Sequence, residues 1–143
     1  MSPQAMDANA AKSVDSGVRQ MAAAIAHDLA HEGPTAWVRY FDDTPDFFMA
    51  ANGQLQFSSA NDARTFLPKY AAGIKHLDLT WSEIRVDPVA PGMAVMGASY
   101  KEVFTDNADH TKEFSGYFTG LAEQTATGWK FRDAHWSAPA SSN

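Results

Sequence analysis

The chain changes period along its length. Val14, Val18, Met21, Ile25 and Leu29 recur every three or four residues and make one apolar stripe. That spacing predicts a helix capped by Ser13 or Asp15 and running to about His31. Gly33-Pro34 ends it. Thr35 to Phe41 then reads as a short second helix carrying Trp37, Val38, Tyr40 and Phe41. Phe47-Phe48-Met49 and Leu55-Gln56-Phe57 flank Asn52-Gly53. Asn-Gly between apolar runs predicts a hairpin, because both residues tolerate positive φ. A third helix follows, with Ser59 as N-cap and Asp62 three residues on. Ala63, Phe66, Leu67, Tyr70 and Ala71 form its expected buried face. Pro68 should kink or split it, and Gly73 should stop it.

From Ile74 the pattern is that of strands: Ile74 to Val86, Met93 to Thr105, Glu113 to Glu123, and Trp129 to Ser137. The separators Pro88–Gly92, Asp106–His110 and Thr125–Gly128 are short and turn-rich, so an antiparallel meander is expected. On the second strand Ala94, Met96, Ala98 and Tyr100 face one way, and Met93, Val95 and Val103 the other. Neither face is polar throughout, so both need cover. Helices cover one. A twofold partner is the simplest cover for the other, and a homodimer through the sheet is expected. The domain therefore spans 13–137, with 1–12 a flexible arm and 138–143 a flexible tail. The fold class is α+β, a curved antiparallel sheet around N-terminal helices.

Composition narrows the chemistry. At 143 residues and 45% hydrophobic content, one core is sustainable without staples. There are no cysteines, which excludes disulfides, thiolate metal sites and a cysteine nucleophile. A net charge of −6 with no Lys/Arg cluster argues against nucleic acid. The longest apolar stretch, Met21 to Ala26, is too short to span a membrane. The first dozen residues hold no apolar core of a secretion signal. A cytoplasmic location is expected, with a processed periplasmic form as the alternative.

The order helix, short helix, hairpin, helix and four long strands resembles the nuclear transport factor 2-like superfamily. Three stretches carry the resemblance: Trp37-Val38-Arg39-Tyr40-Phe41; Ile84-Arg85-Val86 with Gly92-Met93-Ala94-Val95-Met96-Gly97; and Gly128 to Ser137. The last is similar to the closing strand of SnoaL-like and ketosteroid-isomerase-like domains. The resemblance implies a cone with a pocket at its open end. It implies no single function, since relatives include isomerases, dehydratases, hydrolases, cyclases and non-catalytic assembly domains. Ketosteroid isomerases place a catalytic carboxylate near the first strand. Here the matching stretch is Phe47-Phe48-Met49-Ala50, with no acid, and Asp42, Asp43 and Asp46 precede it.

Asp133 and His135 are two apart on the last strand, behind Trp129 and Phe131, and read as one face. A carboxylate orienting an imidazole beside aromatic rings is a candidate acid–base pair. The plainer reading is a histidine bonded to backbone that closes the core. Tyr100 and Glu102 share a face on a strand two positions away, about 10 Å across. Phe118 and Gly116 lie between. For Glu102 the plainer reading is an exposed strand end. The candidate catalytic set is thus His135, Asp133 and Tyr100. The candidate ligand-binding set is Trp37, Phe41, Phe48, Tyr70, Trp81, Glu102 and Phe118, with a small apolar molecule as ligand and no cofactor.

His27-Asp28-Leu29-Ala30-His31 resembles a two-histidine zinc helix with Asp in place of Glu. Both histidines fall opposite the apolar stripe, and no metal is expected. Asp106, Asn107, Asp109 and His110 are better read as a polar turn than as a cation loop. Two functions remain in view. One is a small-molecule site, binding or performing cofactor-free isomerisation, dehydration or hydrolysis. The other is a non-catalytic dimerisation or assembly module with a filled cone.

Overall fold

The computed structural model describes residues 6–139. The expectations for the first five residues of the arm and for residues 140–143 of the tail lie outside them. The first helix, α1, spans Ala8–Glu32 and starts earlier than its apolar stripe suggests. Asp7 is its cap, accepting from the Ala10 N–H at 2.7 Å. The arm expected through Lys12 is therefore helical from Ala8. The extra turns carry Ala8, Ala10, Ala11 and Lys12, strong helix formers that add nothing to the stripe. Val14, Val18, Met21, Ala22, Ile25 and Leu29 are buried as the spacing requires.

A 3₁₀ helix spans Pro34–Tyr40. Strands β1 (Phe48–Ala51) and β2 (Gln54–Phe57) then form the hairpin. Its turn residues have φ of 51° at Asn52 and 85° at Gly53, as Asn-Gly permits. Helix α2 spans Ala60–Ala71, with Ser59 accepting from the Asp62 N–H. It runs through Pro68 as one helix, so of the expected kink or split the split does not occur. Its buried face is narrower than expected: Ala60, Ala63 and Leu67 are buried, whereas Phe66 and Tyr70 remain exposed at the rim of the cone.

Four long strands follow: β3 (Ile74–Ala90), β4 (Met93–Asp106), β5 (Thr111–Thr125) and β6 (Gly128–Ser137). The sheet order is β2-β1-β6-β5-β4-β3. The meander from β3 to β6 is antiparallel, but β1 joins β6 in parallel, so the sheet is mixed. Pro88 lies inside β3 rather than in a turn, opposite Ala94. It is tolerated there because β3 is an edge strand with no outer ladder to break.

Irregularities bend the sheet around α1. The register of β3 against β4 shifts at three places, one of them between Ser82 and Arg85. Glu83 sits in that shift with φ of 52°. Bulges of this kind raise local twist and curvature. The concave face packs Leu77, Leu79, Ala94, Met96, Ala98, Phe118, Ala122 and Phe131 into the core. The indole N–H of Trp81 reaches α1 and donates to the Ala22 carbonyl at 2.9 Å. No helix of the described residues is long and apolar enough to cross a membrane.

Candidate functional site

The open end of the cone holds a cavity of about 250 Å³. Pro34, Trp37 and Phe41 wall one side, and Phe66, Leu67 and Tyr70 of α2 another. The hairpin contributes Met49, Ala51, Asn52, Gln56 and Phe57. The sheet contributes Leu77, Tyr100, Glu102, Phe104, Phe114 and Trp136, and Ala138 closes the far edge. Glycine at 116 makes that edge possible. A Cβ there would meet the Ser137 carbonyl oxygen at 1.8 Å. The chain leaving β6 crosses where a side chain on β5 would stand.

Glu102 is the one ionisable carboxyl in this lining. Alternation puts it inward on β4 between Tyr100 and Phe104. Its direct neighbours across the sheet are Leu79 on β3 and Phe114 on β5. No hydrogen bond to another group reaches it among the described residues, and burial pushes its carboxyl up to about 7. Desolvation without a partner disfavours the anion. The Tyr70 and Tyr100 hydroxyls are raised too, first by burial and then by the Glu102 charge, so both stay protonated donors near neutrality. Tyr100 donates to the Ser137 carbonyl at a long 3.4 Å, a weak bond that a ligand oxygen can replace. The site thus offers one titrating carboxyl, two phenol donors and two amides in an aromatic enclosure.

The structure divides the expected site residues. Trp37, Phe41, Tyr70, Tyr100 and Glu102 meet at the cavity. Phe48 does not: β1 turns Met49 inward, leaving Phe48 47% exposed on the convex face. Phe118 is fully buried between Trp81, Phe131 and Trp136, with ring centroids 4.6–5.2 Å away. Trp81 is committed to Ala22 on α1 and to this same cluster. Both are core rather than lining.

His135 and Asp133 are not in the cavity either. Opposite the Leu121–Ala122 step of β5, β6 places Asp133 and Phe131, with Arg132 as the extra residue. One additional residue resets the alternation. Phe131 therefore points inward as expected, but Asp133 and His135 point outward, and Ala134 and Trp136 take the inner face. His135 is exposed and pairs with Thr119 on the convex side. Burial raises the Asp133 carboxyl, chiefly by desolvation on that outer face.

Several lining residues escaped the sequence reading. Phe104 follows Glu102 by two, and Phe114 precedes Gly116 by two. Both carry the period-2 signal that placed Tyr100 inward. Trp136 was hidden by the bulge. Its indole N–H points at the Met49 sulfur, 3.2 Å away.

Asp42, upstream of the first strand, lies outside the lining. Burial and a hydrogen bond shared with Glu123 raise its carboxyl. His27 and His31 sit exposed with rings stacked at 4.1 Å. Asp28 is engaged by Tyr40, His27 and Arg39 and lowered to about 2, the Tyr40 hydrogen bond being the largest cause. Asp106 accepts from the Ala108 and His110 N–H groups, as a turn aspartate does.

No family model matches the chain. No curated protein matches it by sequence either. Solved structures do. A provisionally assigned scytalone dehydratase from Novosphingobium aromaticivorans superposes with a TM-score of 0.79 at 12% identity, over 90% of this chain and 86% of that one. LinA superposes at 0.72 and 10% identity, over 91% and 88%. A nuclear transport factor 2-like superfamily protein from Salmonella enterica gives 0.69 at 14% identity, over 94% of each chain. The chain has the nuclear transport factor 2-like fold. A second LinA structure is described as a hexachlorocyclohexane dehydrochlorinase.

Proposed function

We propose that the cone binds a small, largely apolar molecule and that Glu102 moves a proton to or from it without a cofactor. The observation that carries this reading is an unpartnered carboxyl, half ionised near neutrality, facing an aromatic cavity beside two phenols. A general base works best when its pKa lies near the working pH. As carboxylate, Glu102 takes a proton from a carbon next to an electron-withdrawing group. The electron pair then forms a double bond as a leaving group departs, or forms a double bond by displacing an adjacent one, whose far carbon takes the proton back from Glu102. The Tyr100 hydroxyl donates to the substrate oxygen that gains negative charge. Elimination and isomerisation are the two outcomes. Structures of similar fold include proteins described as dehydratases and a dehydrochlorinase, which favours elimination by analogy of fold.

The test needs no prior substrate. A panel of small cyclic ketones and alcohols is incubated with the protein in D2O and read by NMR for exchange of carbon-bound hydrogen or loss of water. Exchange should occur with the wild type, rise through pH 7 and be absent in Glu102→Gln. Unchanged exchange in that variant overturns the assignment.

The convex face supports a second proposal, the homodimer. Phe48 and Tyr117 are 47% and 42% exposed there, beside half-buried Val95 and Leu121. A twofold copy would cover this face and leave the cone mouth open. Light scattering at micromolar concentration should give twice the chain mass; a monomer refutes it.

A further inference from the structure

The polar inventory of the cavity is one-sided. Among the described residues its lining holds no Lys, Arg or His. Its only group that carries charge near neutrality is Glu102. An anionic ligand would enter an enclosure with no counter-ion and meet a carboxylate there. Burying an unpaired charge of that kind is strongly unfavourable.

Aromatic rings surround the carboxyl. Tyr100 and Phe104 flank it along β4, and Phe114 faces it across the sheet. Tyr70 comes down from α2. Phe104 stands nearly at right angles to two of the others. Phe104 meets Tyr70 at 76° with centroids 6.1 Å apart, and Phe114 at 81° and 5.7 Å. Aromatic walls around one carboxyl let an occupant touch ring surface and carboxylate together. A cation gains from ring faces and carboxylate together, and most where water is excluded.

We infer that the preferred ligand of this cavity is a small organic cation, an amine or quaternary ammonium on an apolar body, whose charge sits between Glu102 and the rings of Tyr70, Phe104 and Phe114. The inference rests on reading the cavity as a small-molecule site. It adds the sign of the charge, which that reading leaves open. The bound cation supplies the partner that Glu102 lacks and keeps it ionised. Binding therefore releases a proton whenever the free carboxyl is protonated. No other titrating group except the Tyr70 and Tyr100 hydroxyls faces Glu102 from α2, β3, β4 or β5 among the described residues. The tyrosines do not titrate near neutrality, because both are raised.

The probes are phenyltrimethylammonium, its neutral isostere tert-butylbenzene, and benzoate. Binding is read by the fluorescence of Trp37 and Trp136, which line the cavity. At pH 8 the ammonium should bind at least tenfold tighter than the isostere, and benzoate not at all. Its affinity should hold above pH 7 and fall up to tenfold per pH unit below it, a series that uses the wild type alone. Glu102→Gln should erase the preference. Equal affinity for tert-butylbenzene, a flat pH series, or a preference kept in Glu102→Gln overturns the inference and leaves the proton-transfer reading standing. If no probe binds, the inference fails as well, while the proton-transfer reading stands or falls on the exchange experiment with the neutral panel.

Discussion

Replacing Glu102 by Gln should stabilise the protein, and only at higher pH. The carboxyl rises from 4.5 to about 7 through burial. Below 4.5 the folded and unfolded chains are both protonated there, so the group has no effect. Between 4.5 and 7 the unfolded chain is ionised while the folded chain holds its proton. The folded state then binds more protons, and stability falls as pH rises. Above 7 both states are ionised and the loss stops growing. At about 1.4 kcal/mol per pH unit, the two and a half units between these values amount to about 3 kcal/mol. Gln keeps the shape and cannot ionise. Urea unfolding of both proteins, followed by tryptophan fluorescence, measures the difference. The gap between variant and wild type should grow by about 2 to 3 kcal/mol from pH 5 to pH 8. Comparing differences cancels other titrating groups such as Asp42 and Asp133. A gap that stays constant with pH would show that the carboxyl is solvated, and the acid–base and cation arguments would fall with it.

Three further outcomes follow from particular contacts. Gly116→Ala should destabilise by about 1–3 kcal/mol and weaken ligand binding, because its Cβ would collide with the backbone at Ser137; urea unfolding and fluorescence titration read both. His135→Gln should leave hydrogen exchange into substrate unchanged, since His135 lies on the convex face; loss of exchange would return it to the candidate site. Trp81→Phe should lose about 1 kcal/mol or more, through the hydrogen bond to Ala22 and some packing; a neutral result in thermal or urea unfolding would refute that contact.

Much of the fold was legible in the chain. The stripe from Val14 to Leu29, the Asn52-Gly53 turn, the Ser59 cap and the four strands are local patterns with local causes. So were the inward positions of Tyr100 and Glu102, because β4 alternates without interruption from Met93 to Asp106. The failures share a different cause. A bulge is a mismatch between two strands, so nothing within Trp129–Ser137 announces that Arg132 is the extra residue. Counting by twos was right up to Phe131 and wrong after it. That single slip moved His135 and Asp133 from the cavity to the outer face. Trp81 and Phe118 met a second non-local limit, since facing inward does not say whether a ring lines space or fills it.

The sequence by itself determined the helices, the turns and strands, and the inward phase of β4 that carries Tyr100 and Glu102. Periodicity and turn chemistry act over a few residues, and a single chain displays them in full. Tertiary structure alone decided which inward residues border the cavity, and that Glu102 lies there without a partner. It also decided that β6 changes phase at Arg132. Desolvation sums over every neighbouring element and register is a relation between strands, so neither can be read from one segment taken alone.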